Sequence, residues 1–315
     1  MFKILIITDT KLSSLNQCNS IVSELKSSKI IEIKYIKIYK SFFHLFPNSI
    51  IYFKLLLDNF FGFRFYNERV DFVISCGRIT APYSLILKKI YKCKNCHILN
   101  PYIKKKVFDK IIIPEYDSPK FSFIENLILT KGTLVNIEKI SLKKKKLKCL
   151  IKLFNGKKKI VLILVGGDGK SSKITFKELQ PIIESLNQQK NIEIAYCFSR
   201  RTSHSLKKLI VKNKNEKSLI FPLKSFNPYW ELINISNFIF VTADSVSMTS
   251  DALSSGKPTY VIPIKRIKSK IKKFHFNLNK ENFTRVYKNK LQKWKYEKFE
   301  ESKKVGKELK KYLNI

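Results

Sequence analysis

Arginine is the scarce cation of this chain: seven of its 62 basic residues are Arg and the rest Lys, against 24 carboxylates. A net charge of +38 would ordinarily point to nucleic acid. The Arg forks and aromatic platforms of nucleic-acid modules are missing, however. Lys, Ile and Asn are instead spread over the whole length, so a nucleic-acid partner is not expected. A general affinity for anionic surfaces does follow from the charge. The runs 141–149 (SLKKKKLKC) and 265–274 (KRIKSKIKKF) carry most of it, and each would also serve as a solvated face. Long apolar runs are lacking too: none reaches the ~18 residues of a membrane span. The opening MFKILIITDT reads as a strand leading into a loop, not as a cleavable leader. A cytoplasmic protein is expected, peripheral at most on the inner face of a membrane. The six cysteines (18, 76, 93, 96, 149, 197) form no regular framework, which fits reduced thiols. CKNCH (93–97) has the spacing of c-type haem attachment. That chemistry needs export, and the His leads straight into the strand-like HILNP. Neither haem, metal nor another cofactor is expected.

What is present is enough for a large core. Of 315 residues 44% are hydrophobic and 13% aromatic, which excludes a disordered chain and allows two domains. Short apolar runs suggest strands at 2–8, 30–38, 71–76, 96–99, 108–113 and 125–130. After the basic run the pattern restarts, with strands expected at 158–165, 191–197, 218–222, 237–242 and 257–262. Segments of helical period lie between them at 16–27, 81–91, 173–188, 202–213, 227–236 and 245–255. In the first of these, Cys18, Ile21, Val22 and Leu25 share a face. Such alternation predicts an α/β protein of two Rossmann-like domains facing a cleft, divided at 1–150 and 151–315. The basic, helical tail should dock through Trp294, Tyr296, Phe299 and Tyr312.

Ligands of open α/β sheets bind at the carboxyl ends of the strands, so the loops there are the places to search. Strand 158–165 runs into Gly166, Gly167, Asp168 and Gly169, a loop whose glycines would suit close approach to an anion such as a diphosphate. It is neither a Walker A loop nor a dinucleotide fingerprint. Strand 191–197 is followed by Ser199, Arg200, Arg201 and Thr202, the last a candidate helix cap. Arg78 takes the equivalent place in the first domain. In a Lys-dominated chain, Arg at strand ends suggests bidentate recognition of phosphate or carboxylate. The segment 240–264 (FVTADSVSMTSDALSSGKPTYVIPI) is small, polar and poor in Lys. Asp244 is expected to cap its helix, with Ser245, Ser247 and Met248 at the positive end and Gly256 at the stop. Asp251 lies ~9 Å further along the axis, the span from a diphosphate to the ribose of one nucleotide. Its carboxylate could take the two ribose hydroxyls.

These residues carry a resemblance. VTADSVSMTSDALSSGKPTYV resembles the signature of the mitochondrial-fission (elongated-mitochondria) family. CGRITAPYSLILKK, FDKIIIPEYDSP, NLILTKGTLVNI, ILVGGDGK, FSRRTS and KKFHFNLNKENFTRVY look like its other motifs, in its order, over about 70–290. The first loop departs from that pattern: ITDTKLSSLNQ keeps Asp9, Asn16 and Gln17 but has no glycine. The resemblance implies one of two roles: nucleoside-diphosphate-sugar chemistry, as bacterial members are labelled, or the adaptor role associated with plant members. More distantly the second half looks like the nucleotide domain of GT-B glycosyltransferases. That implies a GT-B-like fold, a nucleoside-diphosphate sugar as substrate, the ribose on Asp251 and the diphosphate on Gly166 to Gly169.

Three functions follow as expectations. The first is a sugar transferase whose base is Asp9, Glu115 or Asp117, with Arg78 or Arg201 offsetting charge on the leaving diphosphate. The second is an epimerase or hydrolase, and the third a non-catalytic adaptor. The Phe-rich stretch 41–69, with Lys54, Arg64 and Arg69 at intervals, suits either an anionic membrane surface or a buried core helix.

Overall fold

In a computed structural model of the chain, the described residues are 2–26, 31–118, 124–138, 140, 142–169, 172–223 and 226–315. The chain divides into two compact units, Met1–Val135 with Glu300–Ile315, and Asn136–Phe299.

The first unit is built from β1 (Phe2–Thr8), α1 (Leu12–Leu25), β2 (Ile31–Lys37), α2 (Asn48–Phe60), β3 (Phe72–Cys76), α3 (Ala81–Tyr91), β4 (Lys94–Ile98), β5 (Lys110–Pro114) and β6 (Leu127–Thr130). Its strands form one parallel sheet in the order β2-β1-β3-β4-β5-β6. Parallel strands are covered on both faces, which is why β1 and β3 read as continuous apolar runs rather than alternating ones. Ile30, expected in the second strand, lies outside the described residues. The expected face of α1 is the buried one: Cys18, Ile21, Val22 and Leu25 pack with β1 and β3. The haem-like CKNCH is accounted for by packing. Cys93 and Cys96 belong to separate apolar clusters, and His97 is buried with Nδ1 2.7 Å from the Ser75 hydroxyl. Burial pushes that imidazole down to about 3.

The second unit follows with α4 (Lys144–Ile151), β7 (Lys159–Val165), β8 (Ser172–Lys173), α5 (Phe176–Asn187), β9 (Ile192–Phe198), α6 (His204–Asn213), β10 (Leu219–Phe221), α7 (Tyr229–Ile235), β11 (Phe238–Thr242), α8 (Val246–Ser254), β12 (Thr259–Ile262), β13 (Arg266–Ile267), α9 (Ser269–Lys280) and β14 (Thr284–Arg285). Its main sheet is parallel, in the order β10-β9-β7-β11-β12-β14; β8 and β13 form a small antiparallel pair. Beyond β14 the chain packs back through Trp294, whose ring lies 5.1 Å from Tyr260, and through Tyr296, whose hydroxyl donates to the Leu253 and Lys257 carbonyls.

The division falls at Val135 rather than at 150, so the basic run is no linker. It supplies α4, whose Leu150 joins Leu232 and Ile233 in a core cluster of the second unit. The chain then returns: α10 (Glu301–Leu313) belongs to the first unit and packs on α1. Val305, Leu309 and Leu313 complete the cluster around Cys18. Gly306 permits the approach, since a Cβ there would lie 2.4 Å from that of Glu24. Among the described residues no helix is long and apolar enough to cross a membrane.

Candidate functional site

In the second sheet the strand order reverses between β7 and β11, so the crevice beyond their carboxyl ends is where this topology offers a ligand site. Three loops meet there, after β7, β9 and β11, and one carboxylate joins them. The Asp244 side chain is fully buried. Its Oδ2 accepts from the Gly167 N–H at 3.1 Å and from Arg201 Nη2 at 2.9 Å, while Oδ1 accepts from the Thr242 hydroxyl at 2.7 Å. Thr242 Oγ1 accepts in turn from the Gly166 N–H at 2.7 Å, and Arg201 Nη1 donates to the Gly167 carbonyl at 3.1 Å. Burial pushes the Asp244 carboxyl above the usual carboxylate range, opposed by Thr242, the Gly167 N–H and Arg201, which favour the charged form.

Two expected caps are displaced by this network. Asp244 does not cap α8; Ser245 does, its hydroxyl accepting from the Met248 N–H at 3.3 Å. Thr202 does not cap α6; Ser203 does, and the Thr202 hydroxyl donates to the Val165 and Gly166 carbonyls at 3.0 and 2.6 Å. With that proton committed, the Ser199 hydroxyl, 3.1 Å away, is the donor to Thr202 and accepts from the Arg201 N–H. The glycines are needed for the approach of the loops to each other. A Cβ on Gly166 would stand 2.0 Å from the Asp244 carboxylate, and one on Gly167 2.0 Å from the Arg201 backbone. Asp168 turns back to accept from the Ile174 N–H at 2.9 Å. Arg200 is exposed beside the network, and Ser247 and Met248 are half-buried in the first turn of α8.

Asp251 sits further along α8 and accepts from the Tyr229 hydroxyl at 2.7 Å. Burial pushes its carboxyl up to about 7, with the Tyr229 bond acting against the shift. Under the same loop, His275 of α9 meets the Ala243 carbonyl through Nε2 at 2.9 Å, and its buried Nδ1 has no partner among the described residues. Burial lowers this imidazole to about 4, so it is neutral near pH 7.

In the first unit the order reverses between β1 and β3. Asp9, just past β1, is buried and accepts from the Lys11 N–H at 3.2 Å and from its ammonium at 2.8 Å. Gly77, just past β3, faces it: a Cβ there would lie 3.4 Å from Asp9 Oδ2. Its φ of +94° is a conformation that glycine tolerates. Arg78 is turned to the chain itself, donating to the Phe46 carbonyl at 3.2 Å and to that of His44. Glu115 is exposed and Asp117 half-buried, in a short turn after β5. The structure thus brings together Gly166, Gly167, Ser199, Arg201, Thr202, Asp244 and Ser245. Asp251 is on the same helix as Ser245, whereas Asp9, Arg78, Glu115 and Asp117 belong to the other unit. Thr242, Tyr229 and His275 were not singled out from sequence. Thr242, two residues before Asp244 at a strand end, had a readable position; the other two act across 22 and 32 residues with no spacing signal.

Two curated relatives are similar. An uncharacterized protein, RP120, of Rickettsia prowazekii (strain Madrid E) is 28% identical over 289 residues, 78% of this chain and 80% of the relative. The mitochondrial fission protein ELM1 of Arabidopsis thaliana is 27% identical over 246 residues, 68% of this chain; the match spans 56% of the plant protein's length. Among solved structures, the UDP-GlcNAc 2-epimerase of Neisseria meningitidis bound to UDP-GlcNAc superposes with a TM-score of 0.56 at 16% identity, covering 98% of this chain and 100% of that one. A glycosyl transferase of family 9 from Veillonella parvula DSM 2008 gives 0.53 at 9% identity, over 99% and 97%. At these identities the likeness is one of fold: two Rossmann-like α/β domains, GT-B-like, as expected. The family model described as Mitochondrial fission ELM1 matches residues 14–313, and the chain belongs to that family.

Proposed function

We propose that this chain binds a nucleoside-diphosphate sugar on its second unit and acts as a GT-B-type glycosyltransferase. The observation that carries the reading is the Asp244 network at the β7–β11 switch point. It fixes the loops beside the positive end of α8 before any ligand arrives, the preorganisation that binding of a diphosphate needs. The diphosphate takes the first N–H groups of α8 with Ser245 and Ser247, and Arg200 and Arg201 offset its charge. Met248 lies against the nucleoside, and Asp251 takes the ribose hydroxyls. The second neighbour's description as a glycosyl transferase supports the reaction class. In that reaction an acceptor hydroxyl attacks the anomeric carbon. The bond to the diphosphate breaks, and a carboxylate takes the hydroxyl proton. Asp9, Glu115 and Asp117 are the carboxylates that the first unit offers just past its strands, and Arg78 is the cation there. In this reading the protein works in the cytoplasm, peripherally against the inner face of an anionic membrane.

A second reading, turnover of the nucleotide sugar without an acceptor, is favoured by the epimerase-like neighbour bound to UDP-GlcNAc. A third, an adaptor that keeps the fold alone, is supported by the glycine-free loop around Asp9.

Calorimetry with uridine, guanosine and cytidine diphosphates and their sugars tests the proposal. One of them should bind wild type at least about tenfold more tightly than Asp251→Asn, a difference of about 1.4 kcal/mol. Ribose hydroxyls favour the ionised carboxylate, so wild-type affinity should rise with pH through about 7 and that of the variant should not. Equal affinities remove the ribose from Asp251. No binding by any of these nucleotides leaves the adaptor reading, and consumption of the donor without acceptor selects the second.

A further inference from the structure

The exposed apolar side chains of the first unit are concentrated in one segment, 42–65, and there they are ordered. On α2, Ile50, Phe53, Leu57 and Phe60 are 47%, 61%, 43% and 82% exposed. Their spacing of three, four and three residues places them in one stripe. Asn48 and Ile51, which are buried, face the other way, toward the unit's interior. Phe42, Leu45 and Phe46 extend the exposed surface before the helix, and Phe61, Phe63 and Phe65 after it. This surface is held in place. Asn48 donates to the Arg78 and Pro101 carbonyls at 2.6 Å, and Arg78 donates to the His44 and Phe46 carbonyls. His44 Nε2 lies 3.1 Å from the Tyr83 hydroxyl. Of the two readings left open by the sequence, the buried core helix does not hold for this stripe.

We infer that this face of α2, with its aromatic flanks, docks on an anionic lipid bilayer. Charge selects that occupant. Lys54 and Arg64 are exposed within the segment, and Lys37, Lys40 and Arg69 are exposed just before and after it. Its one carboxylate, Asp58, is ion-paired with Lys54, and Glu68 just after it is paired with Lys34. A second copy meeting this face about a two-fold axis would set the same basic rim against itself, in a chain of net charge +38. Acidic headgroups would instead neutralise that rim while Phe53 and Phe60 enter the acyl boundary. The inference rests on the peripheral placement proposed above and not on the nucleotide site, and the lipid assay contains no nucleotide, so either can fail without the other.

Co-sedimentation with vesicles of phosphatidylcholine, alone or mixed with phosphatidylserine, tests it, with the oligomeric state followed by light scattering. Wild type should partition onto the mixed vesicles, more strongly at low salt. Phe53→Ser with Phe60→Ser should lower that partition at least about tenfold at unchanged net charge. Both side chains are exposed, so melting of the variant should match wild type, which separates lost binding from lost folding. Equal partition of the two proteins would reduce the effect to diffuse charge and overturn the inference. So would failure of wild type to bind mixed vesicles at low salt. A wild-type dimer that the double substitution dissociates would assign the face to a second copy instead.

Discussion

The two units place an aspartate and a glycine at their switch points in opposite arrangement. In the first, Asp9 follows β1 and Gly77 follows β3; in the second, Gly166 follows β7 and Asp244 follows β11. Each carboxylate is buried, faces the other loop's glycine and pairs with a cation. The partners differ in reach. Lys11 is two residues from Asp9, and its side chain is 71% exposed. Arg201 comes from a third loop, 43 residues from Asp244, and is 45% exposed. One arrangement is local and ties down a turn. The other locks three loops together, and it is the one that can hold a ligand's surroundings rigid.

Glycine substitution breaks the comparison most sharply. Gly167→Ala sets a Cβ against the backbone of Arg201, which cannot give way without opening the network. Its cost should be about 3 kcal/mol. Gly77→Ala meets only an ordinary contact with Asp9 and suffers mainly from its positive φ, a cost of about 1–2 kcal/mol. Both tryptophans, Trp230 and Trp294, lie in the second unit, so their fluorescence in a denaturant titration reads Gly167→Ala alone. Hydrogen exchange of β1 and β3 amides reads Gly77→Ala. Equal costs would mean that the loops of the second unit are no more rigid than those of the first.

A smaller contrast is expected from the cations. Removing Arg201 as Met leaves a buried carboxylate with two donors, at a cost of about 2 kcal/mol, between the ranges for surface and buried pairs. Lys11→Met removes an exposed partner and should cost less than about 1 kcal/mol. The same two measurements, fluorescence and exchange, report them separately. Arg201→Met without effect on the second unit would show that Thr242 and the Gly167 N–H suffice to hold Asp244.

The rigid frame was legible in the sequence and its long-range pairings were not. The strands at 2–8, 71–76, 158–165 and 237–242 announce themselves as uninterrupted apolar runs, and they agree with β1, β3, β7 and β11 to within a residue or so at each end. Helix α2 stayed ambiguous because Ile50, Phe53, Leu57 and Phe60 face outward while Ile51 faces inward, so periodicity finds no polar side. The two caps were misplaced by one residue because Asp244 and Ser245, and Thr202 and Ser203, are both good capping pairs. Partners from distant loops decided between them, N–H donors for Asp244 and carbonyl acceptors for Thr202. The boundary at 150 failed for a similar reason: Leu150 and Gly306 show what they pack against only once the chain has folded.

A dependence on pH sharpens the comparison from the second unit alone. Asp251 titrates near 3.9 in an unfolded chain and at about 7 in the folded one. The folded state therefore holds a proton that the unfolded state has lost, and stability falls as pH rises from about 4 to about 7. Above that window the carboxylate is charged in both states, and the penalty of burying it is complete. Asp251→Asn removes this part of the slope while its carbonyl still accepts from Tyr229. The variant should therefore lose less of its melting temperature than wild type between pH 4 and pH 7, as read by tryptophan fluorescence. The slope should shrink without vanishing, because Asp244 is also shifted upward and contributes with the same sign. A variant as pH-sensitive as wild type would mean that Asp251 is ionised in the folded chain throughout. Only Asp244 would then set the second unit apart.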